Sequence, residues 1–371
     1  MSEIVVRPIS AAEHLAFLAA QPSVSFLQTP AWGEVKSEWE RESLGWYDGA
    51  ELVGACLVLY RQLPKIKRYL AYLPEGPVLD WMSPSLAQQL TAMSEHLRRN
   101  RAFAVRMGPS VVARIWSADT LKAAIADETV TRLADVSPDS IDDRGVHLEQ
   151  VLRREGWRPL TSGPGFAAGQ PQHVFQLELR GRTQDDVLAG MNQQWRRNIK
   201  KAARSGVVVS QGSLEDLPGF HTLYVETAQR DGFTPRPLPY FEHMFQAMLA
   251  EDPGRIRLYL AHHEGDLVAA TTWVKVGRHT WYSYGASSTA KRDVRGSNAI
   301  QWQMISDSIE AGADVYDLRG ITETLDANDP QVGLIQFKVG TGGRAVQYVG
   351  EWDLPLNRSI YRAFSIYMNR R

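Results

Sequence analysis

The chain has 371 residues, 44% of them apolar, which suits two domains of ordinary size, each with its own core. Its 41 basic residues against 42 acidic ones leave a net charge of −1, which excludes a globally basic nucleic-acid binder and confines any such contact to local patches. The single cysteine, Cys56, excludes an internal disulfide and lies in residues 53–60 (Val-Gly-Ala-Cys-Leu-Val-Leu-Tyr), a run that reads as a buried strand.

Residues 1–7 carry no secretory pattern, and no apolar run approaches the roughly 18 residues of a membrane span, so a cytoplasmic protein is expected. Residues 30–40 have helical spacing, and Asp48-Gly49 then turns into a β-rich run. About two hundred residues later the arrangement returns. Residues 217–230 are helical in pattern, and Glu264-Gly265 turns into a second β-rich run. Two similar α/β units are expected. The boundary falls at residues 161–172, where Ser162-Gly163-Pro164-Gly165 and Gly169-Gln170-Pro171 read as a linker. Residues 142–157 before it are helical in spacing, and residues 173–179 after it alternate as a strand.

The densest positive charge is in residues 195–204. On a helix, Arg196, Lys200 and Arg204 form one i, i+4 row with Arg197 and Lys201 beside it, while Trp195, Ile199 and Ala202 occupy another face. Such a stripe suits a polyphosphate or a solvated surface. In residues 232–241 the prolines around Arg236 stiffen a loop and fix where the guanidinium points, as a bidentate phosphate clamp requires. Tyr282 and Tyr284 alternate along a strand and are expected to share one face. Lys338 stands in an otherwise uncharged stretch, either snorkelling to the surface or held near a reaction centre. HExxH, P-loop, GxSxG and paired CxxC motifs are absent, and Gly340 to Arg344 reads as a turn rather than a nucleotide loop.

Five stretches, taken in order, resemble the Fem family of tRNA-dependent peptidoglycan aminoacyltransferases. They are residues 26–36 (Phe-Leu-Gln-Thr-Pro-Ala-Trp-Gly-Glu-Val-Lys), 72–78 (Tyr-Leu-Pro-Glu-Gly-Pro-Val), 197–202 (Arg-Asn-Ile-Lys-Lys-Ala), 316–321 (Tyr-Asp-Leu-Arg-Gly-Ile) and Phe337-Lys338. The resemblance implies an α/β fold of two tandem acetyltransferase-like domains without a coiled-coil arm, because no heptad-rich insertion separates Arg197 from Arg236. It implies a first domain of residues 1–165 plus 347–371 for precursor binding, and a second of 166–346 for aminoacyl transfer. Carried over by position, Lys36 and Arg236 bind the precursor's diphosphate, and Tyr240 and Tyr284 line the same groove. Lys338 lies beside the reacting ester carbonyl. Beyond the carry-over, Trp32, Tyr282 and Phe337 are expected to bind substrate, and the charges of Arg196, Arg197, Lys200, Lys201 and Arg204 are expected to hold tRNA weakly.

The implied donor is aminoacyl-tRNA carrying glycine, alanine or serine. The implied acceptor is the third stem residue of UDP-MurNAc-pentapeptide or of lipid II. No cofactor or metal is expected, and the protein is expected to be monomeric. One departure stands out. Where the family often has Arg-x-Asp-Pro, this chain has Arg106-Met107-Gly108-Pro109, so no carboxylate is available there as a base. Residues 358–371, with Ile360, Phe364, Tyr367 and Met368 on one face and Arg358, Arg362, Arg370 and Arg371 nearby, either pack on the first domain or touch anionic lipid at the membrane's inner face. Three rivals are an acyl-CoA-dependent N-acyltransferase of the same fold, whose nearest phosphate loop, residues 292–298, has the wrong spacing, a non-catalytic binding module, and a transferase acting on protein N-termini.

Overall fold

The computed structural model describes residues 4–160, 169–329 and 331–368. The expected linker at 162–165 and the terminal Arg370 and Arg371 lie outside the described residues. The chain begins with β1 (Ile4–Pro8), α1 (Ala11–Ala19), α2 (Pro30–Val35), β2 (Glu40–Asp48), β3 (Glu51–Gln62), β4 (Tyr69–Leu73), α3 (Leu86–Arg99) and β5 (Ala102–Met107). Then come β6 (Val112–Ser117), α4 (Ala118–Ala126), β7 (Ser140–Ile141), α5 (Asp143–Arg154) and β8 (Arg158–Pro159). The middle holds β9 (His173–Glu178), α6 (Gln184–Gly190), α7 (Gln193–Arg204), β10 (Val208–Gly212), α8 (Leu217–Asp231) and α9 (Leu238–Glu251). It continues as β11 (Ile256–His263), β12 (Asp266–Val276), β13 (His279–Ser287), α10 (Gly296–Glu310), β14 (Val315–Gly320) and α11 (Val332–Val339). The last elements are β15 (Arg344–Tyr348), β16 (Trp352–Pro355) and α12 (Arg358–Met368).

The chain divides into two compact units. The first comprises residues 1–115, 140–172 and 346–371, and the second residues 116–139 and 173–345. In the first, the strands run β1-β2-β3-β4-β5-β16-β8 across one sheet. Gly49 (φ 61°) takes the left-handed conformation the β2–β3 hairpin needs, and Asp48 pairs with Glu51 across a two-residue loop. β3 and β4 are antiparallel, whereas β4 and β5 are parallel with α3 crossing between them. The core centres on Trp46, Met93 and Trp352, all at most 1% exposed, and Cys56 is buried within β3.

The second unit repeats this plan. Glu264 (φ 52°) and Gly265 (φ 87°) form the β11–β12 hairpin turn, β12 and β13 are antiparallel, and β13 and β14 are parallel with α10 crossing between them. Its strands run β10-β11-β12-β13-β14-β9. Trp273, Tyr316 and Met304, each 0% exposed, mark the core between that sheet and α10. Helix starts follow local chemistry. Thr183 and Asp186 form a capping box on α6, and the Asn192 side chain accepts the Trp195 N–H on α7. After α7 the chain turns at Gly206 (φ 79°) into β10, so among the described residues no long helical hairpin follows.

One expected helix is shorter than its pattern. In residues 30–40, α2 stops at Val35 because Lys36 (ψ 46°) leaves helical geometry, and Trp39 donates its N–H back to the Lys36 carbonyl at 2.9 Å.

Candidate active site

Within the second unit, β13 ends at Ser287 and the chain reaches α10 through Lys291, Arg292 and Arg295. Arg295 takes the left-handed conformation (φ 64°) normally given to glycine, and α10 starts at the next residue. The first N–H groups of a helix have no intrahelical partner and carry the positive end of its dipole. They open on a cleft of about 330 Å³ lined by these residues, by Asn192, which caps α7, by Asn198 of that helix, and by Gln336 and Phe337 of α11. The lining contains no carboxylate. Asn298 is 5% exposed, and its Nδ2 donor has no hydrogen-bond partner among the described residues. Lys291 is paired with Asp266 at 2.8 Å and Glu264 at 3.4 Å outside the lining, and the remaining donors with Arg292 and Arg295 make this a place for an anion, phosphate above all.

Lys338 adjoins that cleft through its neighbour in α11. The Phe337 ring stacks obliquely on Trp195 at 4.7 Å, and the Trp195 indole N–H donates to the Phe337 carbonyl at 2.8 Å. The next side chain turns inward. Lys338 is 3% exposed, and its Nζ donates to the carbonyls of Gly320 (2.6 Å) and Arg319 (3.3 Å) at the end of β14. It does not snorkel. Burial pushes its pKa down to about 7, against a partial rise from nearby Asp317.

The stiff loop before α9 holds Arg236 exposed, with its guanidinium 5.3 Å from the Tyr240 ring centroid. The Tyr240 and Tyr284 hydroxyls are 3.1 Å apart, and Tyr284 packs edge-on against Tyr224 and Phe241. The expectation that Tyr282 and Tyr284 share a face fails. Trp273 pairs with Tyr282 but Thr271 with Gly285, so a β-bulge places one extra residue between them. Tyr282 therefore packs into the core on the α10 side, where burial raises its pKa to about 12, while Tyr284 faces α8 and α9.

In the first unit, Trp32 is 6% exposed and edge-on to Phe26, and the Lys36 Nζ lies 5.0 Å from the Trp32 ring centroid. On α7, Arg197, Lys200, Lys201 and Arg204 are exposed, but Arg196 is not part of a free stripe. Its guanidinium turns back to the carbonyls of Met191 and Ala189 at the end of α6.

A carboxyl that motif spacing missed lies in the first unit, just before β16. Glu351 is 7% exposed and accepts the Tyr72 hydroxyl at 2.8 Å, and its Oε2 has no hydrogen-bond partner among the described residues. A Cβ at Gly108 would fall 2.9 Å from the Glu351 Cγ, so the residue standing where the family often has Asp leaves the space this side chain fills. Burial raises its pKa to about 7. Next to it, Arg106 grips Asp353 with two hydrogen bonds of 2.8 and 2.9 Å. Glu351 and Tyr72 are 279 residues apart, so only the fold brings them together.

Two sheets, each with a parallel pair split by a crossing helix, define a tandem acetyltransferase-like architecture. A tandem protein of that class from the clavulanic acid pathway superposes with a TM-score of 0.52 at 12% identity, covering 95% of this chain and 98% of the other. The crystal structure of FemX superposes with a TM-score of 0.80 at 21% identity, covering 96% of this chain and 99% of that one. The FemAB family model matches residues 9–262 and 257–368, and the chain belongs to the FemAB family. A UDP-N-acetylmuramoylpentapeptide-lysine N(6)-alanyltransferase of Weissella viridescens is 28% identical over 349 residues, 93% of each chain. A lipid II:glycine glycyltransferase of Staphylococcus aureus is 22% identical, covering 94% of this chain and 92% of its own.

Proposed function

We propose that the protein transfers an aminoacyl group from aminoacyl-tRNA to the side-chain amine of the third residue of a peptidoglycan stem peptide, in cross-bridge synthesis. The observation that carries this reading is the acid-free cleft at the start of α10, flanked by Phe337 with Lys338 next in sequence. A charged tRNA brings phosphates beside the ester that reacts, and the cleft supplies donors for phosphates beside a cation. The acceptor side rests on the relatives, whose names give a muramoylpentapeptide lysine and lipid II. In this reading Lys36 and Trp32 of the first unit, and Arg236, Tyr240 and Tyr284 of the second, contact the precursor. The exposed charges of α7 hold the tRNA backbone.

The chemistry needs positioning more than activation, because an ester is already more reactive than the amide it becomes. The neutral amine attacks the ester carbonyl and forms the new C–N bond. The C–O bond to the ribose then breaks, and the proton lost by the amine ends on the ribose oxygen. Lys338 as an ammonium stabilises the oxyanion between those steps. With the Lys338 pKa pushed down to about 7, this role predicts that turnover, rising with pH as the acceptor amine loses its proton, levels off above that value, whereas service as a base would let the rise continue.

A second reading, acyl-CoA-dependent N-acylation, draws on the same helix start, because a coenzyme A pyrophosphate suits it equally. One experiment separates them. The protein is incubated with nucleotide-linked or lipid-linked precursor and with tRNA charged with glycine, alanine or serine, or with acetyl-CoA. A mass gain of one aminoacyl residue only with charged tRNA is expected. Acetylation of the amine would overturn the proposal in favour of the second reading, and binding without any product would leave a non-catalytic module.

A further inference from the structure

One end of the first unit's sheet gathers positive charge that the transfer reaction does not use. The hairpin between β3 and β4 closes with the Leu63 N–H on the Arg68 carbonyl at 2.8 Å and carries Lys65, Lys67 and Arg68, all exposed. Beside it the Tyr69 N–H reaches the Arg101 carbonyl at 3.3 Å, which brings up the α3–β5 turn with exposed Arg98, Arg99 and Arg101. The same end receives α12. The N–H groups of Leu356 and Asn357 donate to the Phe103 carbonyl at 2.9 and 2.8 Å, and Arg358 and Arg362 are exposed on that helix. None of these eight cations makes an ion pair with an acid among the described residues. Glu40, bonded to the Tyr69 hydroxyl at 3.0 Å, is an acid at this end. In a chain of net charge −1 such a concentration is a marked asymmetry.

Apolar side chains are exposed in the same elements. Ile66 is 46% exposed at the hairpin tip, between Lys65 and Lys67. Ile360, Tyr361 and Phe364 of α12 pack with Leu63, Leu70 and Phe103, which fixes the helix to the sheet, yet Ile366 and Met368 remain 47% and 37% exposed. Both packing and exposure therefore hold for this helix. Phosphates of a nucleic acid would use the cations but gain nothing from an aliphatic tip. A bilayer surface uses both, because anionic headgroups attract the cations while aliphatic side chains enter the acyl boundary.

We infer that the β3–β4 hairpin, the α3–β5 turn and α12 form a docking surface for the anionic phospholipid headgroups of a membrane. The inference goes beyond the transferase reading and stands if that reading fails, because docking is measured without turnover. It places the protein where a lipid-linked acceptor would be met.

The test is sedimentation with vesicles of phosphatidylcholine, with and without phosphatidylglycerol and free of any precursor. Binding is expected only with the anionic lipid and should weaken as salt is raised. Replacing Lys65, Lys67 and Arg68 together by Ser should lower the partition about a hundredfold, near fivefold for each charge removed. Ile66→Ser should lower it several-fold on its own. Neutralising Lys200 and Arg204 on α7 should leave it unchanged. Thermal melts that match wild type establish that the variants are folded. Wild-type protein that ignores phosphatidylglycerol overturns the inference. So does a hairpin triple variant that keeps its vesicle binding, or an Ile66→Ser variant that matches wild type. Loss of tRNA binding instead of vesicle binding in the triple variant would assign the surface to RNA and overturn it as well.

Discussion

At the scale of single residues, two buried ionisable groups make opposite claims on pH. Removing the Lys338 charge while keeping its bulk, as in Lys338→Met, should lower turnover about 100- to 1000-fold, the usual effect of losing one oxyanion donor. Single-turnover kinetics with saturating charged tRNA measures it, and near-normal turnover would leave Lys338 only tying α11 to β14. The same variant has a signature in stability. Burial lowers the folded pKa from 10.5 to about 7, so between those values the unfolded chain holds a proton that the folded chain lacks. Wild type should therefore gain stability relative to Lys338→Met as pH rises from about 7 to 10.5, and show no such slope below 7. For Glu351 the sign reverses. Its folded pKa is raised from 4.5 to about 7, so the folded chain holds the extra proton, and wild type should lose stability relative to Glu351→Gln as pH rises across that window. Melting temperatures over a pH series check both. Neither behaviour was legible in the sequence. Lys338 showed only as a lone charge, and its burial depends on where α11 meets β14. Arg295 was not legible for another reason: glycine is the residue that marks a left-handed position in a sequence, and here an arginine occupies it.

At the scale of elements, α7 shows what spacing reveals and what it hides. The helix, its buried Trp195 and Ala202 and its exposed cations all followed from the 3.6-residue period. That Arg196 is drawn to the end of α6 depends on a neighbouring element and was not legible. Neutralising Lys200 and Arg204 should raise the Michaelis constant for charged tRNA and flatten its salt dependence, with the precursor's constant unmoved. Arg196→Ala should instead lower stability by about 0.5–1.5 kcal/mol, the usual net worth of a hydrogen bond, which denaturant melts would show. The tyrosines of β13 make the same point for strands. Alternation predicts one face, and a bulge that leaves no mark in local composition divides them between two.

At the scale of the whole molecule, the turn pairs Asp48-Gly49 and Glu264-Gly265 were the legible trace of the repeat, because glycine is demanded by the hairpin itself. The grouping of residues 116–139 with the second unit was not legible, since nothing in their pattern marks a change of partner. The return of residues 346–371 to the first unit is secured by β16, where Asp353, 0% exposed, receives both Arg106 and the Tyr361 hydroxyl. Asp353→Ala should cost about 3–5 kcal/mol in chemical denaturation, because it leaves the Arg106 charge without its partner in a largely buried place. That discontinuity also governs how the protein is made. As the chain leaves the ribosome, β5 is among the early strands to emerge, yet β16, its partner on one side, is among the last. Strands β9 to β14 of the second unit have all been made by residue 320, while the first unit still presents a bare strand edge that another nascent chain can pair with. Of the two units, the one begun first is completed second, so the interval between the making of β14 and of β16 is when the nascent chain most needs protection from its neighbours.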